Sequence, residues 1–105
     1  MIVENLTSVE QFNQLKEQGK HVFLFTAGWC PDCRFIEPFM PEVEEKFDEH
    51  AFISVDRDKF IDLCVELEVY GIPSFIAYNS GEETGRFVSK VRKTQEEIET
   101  FLQAQ

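Results

Sequence analysis

The stretch Trp29-Cys30-Pro31-Asp32-Cys33 decides the fold and the chemistry that this sequence predicts. It follows an apolar run typical of a buried strand, and it precedes apolar residues at helical spacing. Two cysteines separated by two residues, where a strand becomes a helix, form the layout of a dithiol redox site. The first helical turn has unpaired N–H groups that favour a thiolate at Cys30, and Cys33 lies one turn further on, within reach of a disulfide. Pro31 suits the first helical position, where an N–H would be unpaired anyway.

The composition limits the possible classes of function. A chain of 105 residues can form one core, so we predict a single domain over residues 1–105. The net charge of −10 argues against nucleic-acid binding, which requires a basic surface. The N-terminus lacks a signal-peptide pattern, and no apolar run approaches the ~20 residues that span a bilayer. We therefore expect a cytoplasmic protein without a membrane partner, in which a cysteine pair is catalytic or metal-binding rather than structural.

Hydrophobic periodicity and turn residues predict alternating strands and helices. The predicted strands are Ile2-Val3 and residues 21–26, 51–56, 74–78 and 86–91. The predicted helices cover residues 7–18, 31–49, 58–69 and the segment after Thr94. Pro38 and Pro41 are expected to break the second of these helices. Capping boxes pair Thr7 with Glu10 and Thr94 with Glu97, and residues 79–81 are a hairpin turn. The order β-α-β-α-β-α-β-β-α predicts an α/β fold with a central mixed sheet flanked by helices.

By its motifs the chain resembles the thioredoxin family over essentially its whole length. The residues that carry the resemblance are Trp29, Cys30, Cys33, Pro38, Asp56, Gly71-Ile72-Pro73 and Gly81. The resemblance implies the thioredoxin fold, with helices on both faces of the sheet, a cis Pro73 beside the cysteines and backbone binding of substrate at Ile72. It also implies thiol-disulfide exchange, in which Cys30 is the nucleophile, a mixed disulfide forms, and Cys33 resolves it. The expected protein is a monomeric cytosolic reductase of disulfide substrates that binds no cofactor and receives electrons from NADPH through a thioredoxin reductase.

Four departures from the family pattern concern the site. Pro31-Asp32 replaces the usual Gly-Pro pair, and the charge of Asp32 disfavours a thiolate at Cys30. Leu24 replaces a buried aspartate that assists proton transfer at the inner cysteine, and Phe52 replaces the lysine beside it. Asp32 is then the nearest candidate in sequence to deprotonate Cys33.

The fourth departure is the loop after the last strand. Ser89 and Lys90 replace a glycine there, with an insertion of about two residues, in a loop that forms part of the substrate surface of the family. The cations that crowd this region are Arg86, Lys90, Arg92 and Lys93. They either protect an edge strand from association, or favour the Cys30 thiolate and attract acidic partners.

Several alternatives remain at this level. The cysteine pair could be structural, or half of a zinc site, for which only Cys64, His21 and His50 remain as ligands. The fold could also serve a binding or redox-adaptor module, an oxidase or an isomerase; the intact dithiol and Ile72 favour a reductase. We expect Cys64 to be a buried inert thiol, Trp29 to shield the sulfurs from water, and His21, His50 and the glutamates at 42, 44 and 45 to be solvated.

Overall fold

The computed structural model describes residues 4–105, so the strand predicted at Ile2-Val3 lies outside the described residues. The elements are β1 (Glu4–Asn5), α1 (Val9–Leu15), β2 (Lys20–Thr26), α2 (Pro31–Ile36), α3 (Met40–Lys46), β3 (Ala51–Asp56), α4 (Ile61–Glu66), β4 (Ser74–Asn79), β5 (Glu82–Phe87) and α5 (Gln95–Gln103). The predicted order of elements is confirmed, except that the long helix after Cys30 is two short ones.

The strands form a mixed sheet in the order β1-β3-β2-β4-β5. β1, β3 and β2 are parallel to one another, whereas β4 is antiparallel to both β2 and β5. Thr26 at the end of β2 pairs with Asp56 at the end of β3. The loops that follow these two strands therefore leave the same edge of the sheet, where sites in parallel α/β sheets are built.

Helices cover both faces of the sheet, as predicted. Because side chains alternate along a strand, Phe23 and Phe25 of β2 pack in one apolar cluster and Val22 and Leu24 in another. The first cluster includes Phe12 of α1 and residues of α4, and the second includes residues of α2, α3 and α5. Leu24 consequently faces the helix that carries Cys33.

The helix predicted over residues 31–49 breaks between Ile36 and Met40. Pro38 lies within the break, and Pro41 occupies the first turn of α3. A proline has no N–H to donate to the preceding turn, which ends α2 and allows the chain to restart as α3.

Two predicted helix starts have different outcomes. At α1 the cap is Ser8 rather than Thr7, because the Gln11 N–H donates to Ser8 Oγ over 3.0 Å. The Thr94–Glu97 capping box of α5 is confirmed.

The predictions for α4 and the last strand were partly wrong. Ile61 was expected to face inward, but it is 39% exposed at the first position of α4, which starts later than predicted. The last strand starts directly after the turn at residues 80–81 and ends at Phe87, so Val91 lies in the following loop and is 71% exposed. β5 is an edge strand with mostly exposed side chains, and its polar sequence gives little apolar alternation.

Three residues predicted to be solvated are buried. His21 is 8%, His50 3% and Glu44 3% exposed. His21 stacks on Phe23 and His50 meets Phe52 edge to face, so the imidazole rings cover apolar surface at the ends of strands. Over residues 4–105, no helix combines the length and apolar character needed to cross a membrane.

Candidate active site

Cys30 is the residue that caps the N-terminus of α2. Its N–H donates to Ala27 O over 3.2 Å, and its own carbonyl accepts from the Arg34 N–H over 3.1 Å, which fixes the chain on both sides of the thiol. The residue is 6% exposed, and its Sγ lies 3.9 Å from the carbonyl oxygen of Ile72. The thiol thus retains a small exposed area and lies against the segment that contains Pro73.

Cys33 lies one turn further along α2 and is 1% exposed. Both cysteines are free thiols. Burial, aided by the neighbouring Cys30 thiol, raises the pKa of Cys33 from 9.0 to about 11, although hydrogen bonds from the Thr26 hydroxyl and the Ala27 backbone act in the opposite direction. The buried cysteine therefore keeps its proton at neutral pH until a base or a favourable hydrogen bond helps to remove it.

The segment beside the cysteines contains a cis peptide bond between Ile72 and Pro73, as predicted. Ile72 packs against the cluster formed by Ala27, Cys30 and Cys33. The Ser74 hydroxyl donates to Gly71 O over 2.5 Å, which closes the turn before β4. The Ile72 backbone is thereby held next to the Cys30 thiol.

Comparisons with known proteins agree with this geometry. The thioredoxin family model matches residues 3–104, nearly the whole chain. This chain belongs to the thioredoxin family. A thioredoxin H-type from Fagopyrum esculentum is 40% identical over 80 residues, which cover 75% of this chain and 69% of that relative. Thioredoxin-2, mitochondrial, from Schizosaccharomyces pombe is 30% identical over 97 residues, which cover 89% and 73% respectively.

The solved structures show the same fold. The crystal structure of thioredoxin from Trypanosoma brucei brucei has a TM-score of 0.87 at 28% identity, and the match covers 97% of this chain and 88% of that one. Thioredoxin-family proteins are dithiol-disulfide oxidoreductases and need no bound cofactor. This chain is therefore a thiol-disulfide oxidoreductase with the thioredoxin fold.

The place of the usual buried acid of thioredoxins is apolar here. Leu24 is 9% and Phe52 is 4% exposed, and both belong to the apolar cluster beneath α2 and α3. Leu24 and Cys33 line one cavity of about 300 Å³, to which Thr26, Ser54 and Glu44 also contribute. Replacing both partners of a buried charge pair is self-consistent, because a lysine left without its carboxylate would be costly.

Asp32, between the two cysteines, forms an ion pair with the loop after β5. Arg92 Nε donates to Asp32 Oδ1 over 2.8 Å, across 60 positions of sequence. The guanidinium carbon of Arg92 also lies 4.5 Å from the centre of the Phe35 ring. The loop predicted to border the site therefore contacts the dipeptide itself.

The other predicted loop residues have separate positions. Ser89 is bound through its hydroxyl and carbonyl oxygens to the ammonium group of Lys93. Ser89 O also approaches Gly71 so closely that a Cβ on Gly71 would lie 2.3 Å from it. Lys90 is exposed next to Ser89. This brings Ser89 and Lys90 next to the cis-proline segment, but their predicted contact with substrate stays a prediction.

The four cations of the basic cluster do not act as one patch. Arg86 forms a two-point ion pair with Glu83, at 2.7 and 2.9 Å, and donates to Leu67 O. Arg92 pairs with Asp32, whereas Lys93 is 1% exposed and donates to oxygens of its own loop. Arg86 is therefore paired on the edge strand and Arg92 reaches the site, while protection of the edge from association and attraction of acidic partners both stay predictions.

Trp29 is not part of the core. Its side chain is 61% exposed, and its indole N–H donates to Asp58 Oδ2 over 2.7 Å. Because Thr26 and Asp56 end neighbouring strands, this bond joins the two loops at the same sheet edge. The proposed shielding of the sulfurs by the indole stays a prediction.

The zinc alternative finds no support in the described part of the chain. Within residues 4–105, no three His, Cys, Asp or Glu side chains are grouped so that they could hold a metal. Cys64 is 1% exposed and burial raises the pKa of its thiol, as expected of an inert buried cysteine.

Two residues near the site have environments that the sequence analysis did not foresee. Thr26 was treated only as the end of a strand, yet its hydroxyl lowers the pKa of Cys33. Lys93 was counted among the cations of the basic cluster, yet its side chain is buried. The position of Thr26 two residues after Leu24 on an alternating strand could have identified it, since both side chains share one face. Nothing in the local sequence distinguishes Lys93 from Lys90.

Proposed function

We propose that this thioredoxin-family oxidoreductase is a cytosolic protein-disulfide reductase that works as a monomer. The observation that carries the proposal is the difference in depth between the two thiols: Cys30 at the helix cap is 6% exposed and lies 3.9 Å from Ile72 O, whereas Cys33 beneath it is 1% exposed. The first thiol can meet a substrate disulfide, whereas the second can react only with the first. The cytosol is proposed because its thiols are kept reduced.

The reaction proceeds in two exchanges. The Cys30 thiolate attacks one sulfur of the substrate disulfide, forms a mixed disulfide and releases the other substrate sulfur as a thiolate that takes up a proton. Cys33 then loses its proton and attacks Cys30 Sγ, which breaks the mixed disulfide and releases the second substrate thiol. The substrate gains two electrons, and a Cys30–Cys33 disulfide remains.

Substrate binding is assigned to the surface around Cys30. An extended substrate segment would hydrogen-bond to the backbone of Ile72 before Pro73 and pass Ser89 and Lys90. Apolar side chains next to these positions in sequence are exposed: Trp29 at 61%, Tyr70 at 68% and Val91 at 71%. We propose that these three side chains form one apolar surface around Cys30, which would suit partly unfolded disulfide proteins.

The electron donor we propose is NADPH, acting through a thioredoxin reductase. The test is the reduction of insulin disulfides in the presence of NADPH and a thioredoxin reductase, and the consumption of NADPH measures the rate. Cys30→Ser should abolish turnover, and Cys33→Ser should accumulate a mixed disulfide that mass spectrometry detects. Cys64→Ser serves as the matched control, because that buried thiol lies outside the site and should leave turnover unchanged.

A second assay separates reductase from isomerase or oxidase. An isomerase would accelerate the refolding of scrambled ribonuclease, in which wrong disulfides must be rearranged, whereas an oxidase would accelerate disulfide formation in reduced ribonuclease. If the protein accelerates either reaction but does not reduce insulin with NADPH and the reductase, the proposal is wrong.

A further inference from the structure

The starting point is the charge of Asp32. A carboxylate between two redox cysteines repels a thiolate at Cys30, and the family's Gly-Pro pair carries no such charge. A protein that must keep Cys30 reactive at neutral pH therefore needs a nearby compensation. Within residues 4–105, the cation whose side chain bonds to Asp32 is Arg92. Arg92 lies on the loop after β5, whereas Asp32 lies on the helix that follows β2.

The geometry holds the guanidinium in one place. Its Nε donates to Asp32 Oδ1 over 2.8 Å, and its carbon lies 4.5 Å from the Phe35 ring centre, in the range of a cation–π contact. Asp32 and Phe35 lie on one short helix, three residues apart. Two contacts with the same helix restrict the plane of the guanidinium more than an ordinary surface ion pair does.

The loop that carries Arg92 is anchored on both sides. The buried ammonium of Lys93 donates to Ser89 O, Ser89 Oγ and Val91 O at 3.1–3.3 Å. Ser89 O lies against Gly71, and Thr94 caps the following helix. Arg92 consequently extends from a loop whose backbone is tied to its surroundings on both sides.

The other neighbouring cations make their hydrogen bonds elsewhere, and the buried Lys93 ammonium interacts with Asp32, Cys30 and Cys33 electrostatically without a hydrogen bond to them. Arg34, on the same helix as Asp32, donates to Gly28 O over 3.2 Å. Arg57 pairs with Asp58 at 3.2 Å, next to the Trp29 indole. Arg86, another cation of the basic cluster, pairs with Glu83 at 2.7 Å. Arg86 therefore provides a control that removes one positive charge from the cluster without touching Asp32.

We propose that Arg92 is a positioning residue that neutralises Asp32 and so sets the reactivity of Cys30 at neutral pH. The loop after β5 then does more than border the substrate: it compensates the charge of the Pro31-Asp32 dipeptide. The inference rests on dithiol chemistry at Cys30 but not on a reductase partner. It can therefore fail while the proposed function holds, and it can hold if the proposed reductase function fails.

The test is the rate at which iodoacetamide alkylates Cys30 in the reduced protein at pH 7 and low salt. Arg92→Gln should slow alkylation roughly two- to fivefold, the size expected for a partly exposed charge contact. Arg92→Lys should retain most of the rate, and the control Arg86→Gln should change it much less. The thiolate absorbs at 240 nm, and a titration of this absorbance against pH gives the midpoint of thiolate formation. This midpoint should move to higher pH in the same order, most in Arg92→Gln.

The decisive comparison is a double-mutant cycle with Asp32→Asn. If Arg92 acts through Asp32, Arg92→Gln should have little effect once the carboxylate is gone. An equal slowing in both backgrounds, or no slowing in either, overturns the proposal. The effect in the Asp32 background should also shrink in 1 M salt, where the Debye length is ~3 Å.

A further measurement covers the case in which Arg92→Gln does not fold. In the otherwise unchanged protein, Asp32→Asn should then accelerate Cys30 alkylation less than about twofold, because Arg92 already neutralises the carboxylate. A larger acceleration that disappears in 1 M salt would show an uncompensated charge at Asp32 and would overturn the proposal.

Discussion

Leu24 and Cys33 line the same cavity of about 300 Å³, and no carboxylate stands at the Leu24 position to accept the Cys33 proton. Burial already raises the pKa of Cys33 to about 11. We therefore expect resolution of the mixed disulfide to be slower here than in a thioredoxin that has the acid.

Leu24→Asp should shorten the lifetime of the mixed disulfide by about tenfold or more, because a positioned general base contributes at least that much. The burial of a carboxyl group should lower the free energy of unfolding by ~1–3 kcal/mol. Stopped-flow fluorescence of the mixed disulfide measures the lifetime. Leu24→Asn is the matched control, since it introduces a polar group of similar size without a base. Equal lifetimes in all three proteins would show that Leu24 does not limit resolution.

Thr26→Val should slow the same step. The Thr26 hydroxyl lowers the pKa of Cys33, so its loss should move that pKa above about 11 and shift the pH dependence of resolution to higher pH. Thr26→Ser retains the hydroxyl and should behave like the unchanged protein. If Thr26→Val and Thr26→Ser show the same pH dependence of the rate of resolution, the Thr26 hydroxyl has no role in this step.

Alkylation should follow the burial of the thiols. In the reduced protein near neutral pH, iodoacetamide should modify Cys30 well before Cys33 and Cys64, whose pKa values are raised by burial. Peptide mapping by mass spectrometry at short reaction times gives the order. Early labelling of Cys33 or Cys64 would contradict the assignment of Cys30 as the nucleophile.

His50 should make stability depend on pH. Burial lowers its pKa below the ordinary 6.5, and neither ring nitrogen has a hydrogen-bond partner within residues 4–105. As the pH falls below about 6.5, the unfolded chain binds a proton that the folded chain does not, so the free energy of unfolding decreases until the folded pKa is reached.

His50→Phe should therefore lose less stability than the unchanged protein between about pH 6.5 and 5.5. Urea unfolding at each pH measures the difference. His21, whose pKa burial also lowers, is retained in both proteins and contributes equally. Parallel stability curves for the two proteins would mean that His50 binds its proton equally well in the folded and unfolded states.

Much of the fold could be predicted from local patterns. The run of apolar residues in β2 is long enough to indicate a buried parallel strand, and the bounds predicted for β3, residues 51–56, are those observed. The Thr94–Glu97 box marked the start of α5 because both of its hydrogen bonds are local. The starts of short helices were harder to predict: α4 starts later than predicted because the N–H groups of Asp58 and Lys59 donate to the Asp56 side chain, which holds these residues in a turn before the helix.

The sequence by itself determined the dithiol, its place between a strand and a helix, and the alternation that produces the sheet, because these depend on neighbours within a few residues. Only the tertiary structure decided the burial of His50, Glu44 and Lys93 and the pairing of Asp32 with Arg92. A charged or polar side chain is buried or exposed according to the elements that pack over it, and the two partners of the ion pair are 60 positions apart. Local pattern carries no information on such contacts, since they form only when the sheet brings its loops to one edge.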